Sequence, residues 1–185
     1  MTQRVLLDAC VLLPISLCDV LLDLADAALF DPAWSDIVLA ETRRTLVDKR
    51  GLAPGRADAR IGQMRSAYPN STVTGFDHLI PMLRNHPKDR HVLAAVAGGC
   101  PVIVTVNLTD FPAAALGEHG VTAVHPDDFL VGLWRSHRDS VVAALRRKVS
   151  SYRNPPMTLA EFADILSPLV PAFAALVAAE PDIRQ

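Results

Sequence analysis

Polar side chains at the ends of two apolar runs are the first candidates for chemistry in this chain. Asp8 follows a short apolar run near the N-terminus, and Asp110 follows a β-branched run whose end carries Thr105 and Asn107. Two carboxylates brought side by side would repel, and at least one would bind a proton. A hard divalent ion such as Mg²⁺, which takes oxygen ligands and keeps several waters, would hold both ionised.

The two runs themselves predict the strands that would position these carboxylates. The run that begins at Val102 lies between Pro101 and Pro112, and its unbroken apolar character is typical of a strand covered on both faces in a parallel sheet. Ligands of such sheets bind beyond the carboxyl ends of the strands. If the two runs are parallel neighbours, Asp8 and Asp110 emerge at the same edge.

Strands alternate with helices over residues 1–130, which predicts an α/β domain with a central, mainly parallel sheet flanked by helices. Later residues have a helical pattern, so we expect one α/β domain over 1–130 and a C-terminal helical extension over 131–185. Thr158 and Glu161 have capping-box spacing within that extension. Further elements are expected as strands at Leu29–Pro32, Thr72–Thr74 and Val121–Val124, and as helices after Ser35, over Arg56–Tyr68 and over Pro87–Ala97.

Composition limits the class of protein. The 185 residues are half hydrophobic, enough for one core plus an appendage. No apolar run of about 18 or more residues lacks charge and no basic N-terminal region precedes one, so we expect a cytoplasmic protein without membrane contact. Cys10, Cys18 and Cys100 lack CxxC spacing, which favours small core residues over a disulfide framework or a zinc site.

The net charge of −2 argues against a general nucleic-acid coat protein, although basic residues cluster locally. The segment Trp134–Arg153 holds six Arg or Lys side chains against one Asp. Such a face could follow phosphates, and it could equally be a solvated helix surface. Possible RNA-binding residues also lie next to two of the acidic residues, Glu41 and Asp89: they are Arg43, Arg44, Arg90 and His91. The alternative is that these side chains only keep a helix surface soluble or pair with a neighbour.

Four carboxylates could meet at one site: Asp8, Glu41, Asp89 and Asp110. Each has a structural alternative. Asp8 and Asp110 could be turn or cap residues, Glu41 could pair on a helix surface with Arg44, and Asp89 could stabilise a helix dipole.

The order and spacing of the segments around these acids resemble the PIN-domain nucleases, and within them the VapC-type toxins of bacterial toxin–antitoxin pairs. The resemblance covers about residues 4–130, and the helical tail is similar to an extension in one subset of these proteins. It is carried by Leu6–Val11, Trp34–Glu41, Lys88–Ala95 and Val104–Phe111.

The resemblance implies a PIN-like three-layer fold and an endoribonuclease that depends on Mg²⁺ or Mn²⁺. It implies catalytic and metal-ligand roles for Asp8, Glu41, Asp89 and Asp110. Many PIN domains have an aspartate where this chain has Asn107, so Asp110 would supply the charge there. Asn107 would offer a neutral oxygen, and Thr105 would orient the site by hydrogen bonding.

The implied reaction is hydrolysis by a metal-activated water, leaving a 5′-phosphate and a 3′-hydroxyl. The implied partners are an RNA substrate, a cognate antitoxin whose segment lies in a hydrophobic groove, and a second copy of the chain in a homodimer.

Other functions remain open at this point. A catalytically silent PIN-like RNA-binding or scaffold module is the main alternative, and the presence of all four acids weighs against it. A phosphohydrolase with an aspartyl nucleophile ranks lower because Asp8-Ala9-Cys10 lacks a second aspartate. A dinucleotide-binding fold or a zinc hydrolase ranks lower still, because neither GxGxxG after the first strand nor HExxH is present.

Overall fold

The computed structural model describes residues 2–76, 98–117 and 119–181. Its strands form one parallel sheet in the order β3-β2-β1-β4-β5. The predicted α/β architecture is therefore confirmed, and so is the pairing of the first strand with the strand that begins at Val102. The strands are β1 Arg4–Leu7, β2 Asp31–Ser35, β3 Thr72–Val73, β4 Val102–Val104 and β5 Thr122–Val124.

The helices begin mostly where local capping signals lie. The Ser35 hydroxyl accepts from the Val38 N–H at 3.2 Å and caps α3, and Thr158 and Glu161 form the predicted capping box of α7. The short helix α1, which Asp8 caps, was not predicted. The helices are α1 Ala9–Leu12, α2 Ile15–Asp26, α3 Asp36–Asp48, α4 Pro54–Ala67, α5 Ala113–Gly117, α6 Pro126–Ser151, α7 Leu159–Leu166 and α8 Pro171–Ala178, with a 3-10 helix at Leu108–Asp110.

The chain divides into two compact units, Met1–Pro14 with Phe30–Val124 and Ile15–Leu29 with His125–Gln185. The first unit contains the sheet. Leu6 and Ile103, which are register partners, belong to a buried apolar cluster on this sheet. Their central strands are inaccessible on both faces, as the unbroken apolar pattern predicts.

The second unit contains α2, α6, α7 and α8. The helical pattern expected in the later part of the chain is present in α6, which has a kink at His137. Trp134 packs edge-on against Phe173 of α8, with ring centroids 6.1 Å apart. Asp127 accepts hydrogen bonds from two backbone N–H groups at the start of α8. The functional division of the chain at residues 130 and 131 stays a prediction.

Several cations of the basic segment on α6 are paired within the second unit. Arg138 and Arg146 both contact the buried carboxylate of Glu180. The Lys148 ammonium lies 3.0 Å from Asp19 and 3.2 Å from a carboxylate oxygen of Asp23. Half of the six basic side chains thus hold helices together, which leaves less charge for a phosphate-binding face. None of the helices in the described part of the chain could span a membrane.

Two strands differ from their predicted bounds by more than one residue. The second strand runs from Asp31 to Ser35 rather than Leu29 to Pro32, and Trp34 is a fully buried strand residue. The fourth strand ends at Val104, because the backbone turns away there and leaves Val106 43% exposed. The helix predicted over 87–97 lies outside the described residues.

Candidate active site

Asp8 is the best-positioned acid of the first unit. It follows β1 directly, and its N–H donates to the carbonyl of Val104 at 3.1 Å, which extends the β1–β4 pairing by one residue. Its side chain is only 5% exposed. Oδ1 accepts from the N–H of Ala9 at 2.6 Å and caps α1. The cap role and a catalytic role are therefore compatible in the same residue.

The other carboxylate oxygen of Asp8 lies in a small hydrogen-bond network. The Thr105 hydroxyl donates to Oδ2 at 2.6 Å, and the Cys10 thiol donates to it at 3.1 Å. Thr105 in turn accepts from the N–H of Asn107 at 3.1 Å, and Cys10 accepts from the N–H of Val106 at 3.3 Å. Two relays thus connect Asp8 to the loop after β4, and the predicted orienting contact of Thr105 is present.

Burial raises the pKa of the Cys10 thiol to about 12, and the neighbouring charge of Asp8 acts in the same direction. The thiol therefore stays protonated at neutral pH and acts as a donor. Because the thiolate is the reactive form of cysteine, Cys10 is a poor nucleophile in this setting.

One cavity of about 740 Å³ in the first unit brings together most of the predicted site residues. Glu41, which is half-buried, lines the cavity from α3. The exposed residues Asn107 and Asp110 line it from the segment after β4. Phe111 is 5% exposed and packs into the apolar cluster of the sheet, which anchors Asp110 at the rim. The charged, amide and thiol side chains that line this cavity are Asp8, Cys10, Glu41, Arg44, Lys49, Asn107 and Asp110.

The two adjacent arginines of α3 lie in different environments. Arg43 forms an ion pair with the exposed Asp58 of α4, in which Nη2 donates to Oδ2 at 3.0 Å. That hydrogen-bonded pair lowers the pKa of Asp58 and raises the pKa of Arg43. Arg43 does not line the cavity, whereas Arg44 does. Asp89, Arg90 and His91 lie outside the described residues.

Comparisons with known proteins bear on this arrangement of acids. A family model described as the VapC50 C-terminal domain matches residues 126–179. A protein of Mycobacterium tuberculosis (strain ATCC 25618 / H37Rv) named "Putative ribonuclease VapC50" is 42% identical over 115 residues, which are 60% of this chain and 68% of that protein. The chain belongs to the VapC-type PIN toxin family. No solved structure matches it.

Membership of the VapC-type family confirms the resemblance drawn from the four segments. The parallel sheet with its helices is consistent with a PIN-like fold. The family match at 126–179 also covers all of α6 to α8, so the helical tail is itself a recognised part of this VapC-type chain.

A divalent metal ion is the cofactor that the family implies, and the donor set of the cavity suits it in type. Asp8, Glu41 and Asp110 offer carboxylate oxygens, and Asn107 offers an amide oxygen; Mg²⁺ and Mn²⁺ take such ligands. Among residues 2–76, 98–117 and 119–181, no three His, Cys, Asp or Glu side chains form a group that could hold a metal. Mg²⁺ usually keeps several waters and binds through one or two carboxylates, so this donor set still fits.

Sequence reasoning did not assign two chemically important lining residues of the cavity, Cys10 and Lys49, to the site. Cys10 was assigned to the core with the other cysteines, and this was wrong: Cys18 and Cys100 are buried, but Cys10 is half-buried and lines the cavity. Its position two residues after Asp8 was the available signal. Lys49 was also missed, although its spacing of eight residues from Glu41 puts both on the same face of α3.

Proposed function

We propose that this protein is the toxin component of a toxin–antitoxin pair and an endoribonuclease that hydrolyses RNA phosphodiester bonds with Mg²⁺ or Mn²⁺. The observation that carries the proposal is the cavity shared by Asp8, Glu41 and Asp110 at the carboxyl ends of β1 and β4. The relative from M. tuberculosis has ribonuclease in its name, which supports RNA as the substrate.

Asp8, Glu41, Asp89 and Asp110 would hold the metal, with Asp89 assigned from the family resemblance. When bound, such an ion activates water for attack on phosphorus and stabilises charge on the departing oxygen. The contribution of the protein is oxygen donors held in place. Thr105 and Cys10 restrain Asp8 through its Oδ2, and the Ala9 N–H restrains Oδ1.

The side chains around Asp8 favour water over a protein group as the nucleophile. Thr105 is inaccessible to solvent and donates its hydroxyl proton to Asp8. The pKa of Cys10, raised to about 12 by burial, keeps the thiol protonated. Hydrolysis by water forms no 2′,3′-cyclic phosphate, because the 2′-hydroxyl of the RNA takes no part in the reaction. The family resemblance implies that the P–O3′ bond breaks, which leaves a 5′-phosphate and a 3′-hydroxyl.

The proposed partners follow from the family. They are an RNA substrate, a cognate antitoxin protein and a second copy of the chain in a homodimer. Residues 1–130 would form the nuclease domain, and residues 131–185 its helical extension.

The test is cleavage of total RNA by the wild-type protein and by Asp8→Asn, each with Mg²⁺, Mn²⁺ or a chelator. Asp139→Asn is the matched control, because it neutralises an exposed carboxylate of α6 that does not line the cavity. Circular dichroism shows whether the variants fold alike. We expect metal-dependent cleavage that Asp8→Asn lowers by at least 100-fold and Asp139→Asn preserves, with 5′-phosphate and 3′-hydroxyl ends.

Products with 2′,3′-cyclic phosphate ends would refute the proposed chemistry. A folded wild-type protein that binds RNA without cleaving it under any metal condition would instead favour the silent RNA-binding module. Growth that is unaffected by expression of the active protein would refute the toxin role alone.

A further inference from the structure

One face of α3 forms a wall of the cavity. Six residues of α3 and its C-terminal cap face it at the spacing of successive helical turns: Ile37, Ala40, Glu41, Arg44, Thr45 and Lys49. The wall is charged unevenly, because the acid Glu41 is followed by two cations toward the C-terminal end of the helix. Arg44 lies about 4.5 Å and Lys49 about 12 Å from Glu41 along the helix axis, at 1.5 Å per residue.

Arg44 and Lys49 are the two basic side chains of the described residues that line the cavity. Both are exposed, and neither forms an ion pair with a residue of the described segments. Arg43, their neighbour, is turned to Asp58. Two cations thus line a cavity whose other end holds the acids, and their charge is available to a ligand.

We propose that Arg44 and Lys49 form a phosphate track that binds the backbone of single-stranded RNA on one side of the scissile bond. The inference rests on the proposed function, because it places the scissile phosphate at Asp8 and Glu41. A stacked strand rises about 3.4 Å per nucleotide, so the 12 Å to Lys49 spans three to four nucleotides, and fewer for an extended strand. The cavity of about 740 Å³ has the size of a small-ligand pocket, which suits one strand and not a duplex.

RNA suits this track better than an acidic peptide does. The two cations continue a line that starts at the carboxylates, where the proposed function places the scissile phosphate beside a divalent ion. A polymer with one phosphate per residue would place one phosphate there and further phosphates at the two cations. A carboxylate-rich peptide matches only the basic end.

The test is the salt dependence of RNA binding, measured by fluorescence anisotropy with a short single-stranded oligoribonucleotide. A chelator is present, so that binding is measured without cleavage. The variants are Arg44→Gln, Lys49→Gln and the double substitution, and Arg43→Gln is the matched control. Glutamine keeps a high helix propensity, and thermal unfolding of each variant checks that loss of Lys49 from the helix C-terminus leaves the fold intact.

Each phosphate contact contributes about 0.7 to the slope of log affinity against log salt for a single strand. We therefore expect the double variant to lose about 1.4 of the slope. Between 50 and 200 mM salt the wild type then loses about 7-fold more affinity than the double variant does. Arg43→Gln should keep the wild-type slope.

A neutral methylphosphonate link, placed singly along the oligonucleotide, locates the track. We expect the wild type to bind an oligonucleotide more weakly when its neutral link lies on one side of the cleavage position. The double variant should bind these oligonucleotides with the same affinity wherever the link lies. An unchanged slope in the double variant overturns the track while leaving the nuclease proposal standing. A reduced slope in a protein that never cleaves RNA supports the track and refutes the nuclease. Competition by a polyglutamate peptide as strong as that by RNA of equal charge overturns the assignment to RNA.

Discussion

Thr105→Val is the substitution that best tests how the acids are held. Valine has nearly the shape of threonine, so the change removes a hydroxyl from a site that is 0% exposed without opening a cavity. It deletes the 2.6 Å hydrogen bond to Asp8 Oδ2 and the acceptor of the Asn107 N–H. Asp8 keeps the contacts with Ala9 and Cys10.

A hydrogen bond to a charged group contributes about 1.5 to 3 kcal/mol, so we expect the free energy of unfolding to fall by about 2 kcal/mol. For a chain of this size that corresponds to a fall of about 4 to 8 °C in Tm, or about 1 M urea in the midpoint. Loss of a group that orients a metal-binding side chain typically costs about 10 to 100-fold in activity. We expect RNA cleavage to fall by that factor.

Urea unfolding followed by circular dichroism gives the stability, and initial rates of RNA cleavage give the activity. Thr105→Ser is the control, because it keeps the hydroxyl and removes the methyl group. We expect the serine variant to keep most of the activity. If the serine and valine variants lost activity equally, packing of the methyl group and not the hydrogen bond to Asp8 would position the site.

Three further outcomes follow from particular contacts. Because burial raises the pKa of Cys10 to about 12, its alkylation rate, followed by peptide mapping, should rise about tenfold between pH 9 and 10; a rise of less than about twofold, as for an unperturbed thiol, would contradict that environment. Burial acts to lower the pKa of Lys148, but its two aspartates outweigh this and raise it. Lys148→Met should therefore cost about 1 to 2 kcal/mol of stability in urea unfolding at neutral pH. That difference from the wild type should shrink only above pH 10.5, as the lysine of the folded protein loses its proton; a difference that vanishes near pH 8 would exclude this ion pair. Asp127→Ala removes the acceptor for two N–H groups of α8 and should lower stability by about 1 kcal/mol, with an unchanged Tm as the contrary result.

Much of the secondary structure could be predicted from short stretches of sequence. The apolar runs before Asp8 and Thr105, the cap at Ser35 and the capping box at Thr158 all depend on residues within a few positions of one another. Hydrophobic period and capping chemistry act over that range, so the strands, the helix starts and the sheet edge with Asp8 follow from them. The proposed roles of the four acids come from the family resemblance.

Other features depend on residues far apart in the chain. Lys148 and Asp19 are 129 positions apart, and Arg138 and Glu180 are 42 apart, so no local pattern could show that much of the basic segment on α6 is paired. In the sequence, Cys10 is not distinguished from the other cysteines. Only the folded chain brings the N–H of Val106, in the loop after β4, to the sulfur of Cys10. Arg43 and Arg44 are chemically identical neighbours, and their different surroundings follow from the packing of α3, which puts Asp58 beside one and the acid-lined cavity beside the other. Local physics places each side chain on its strand or helix, and tertiary packing sets which partner it finds.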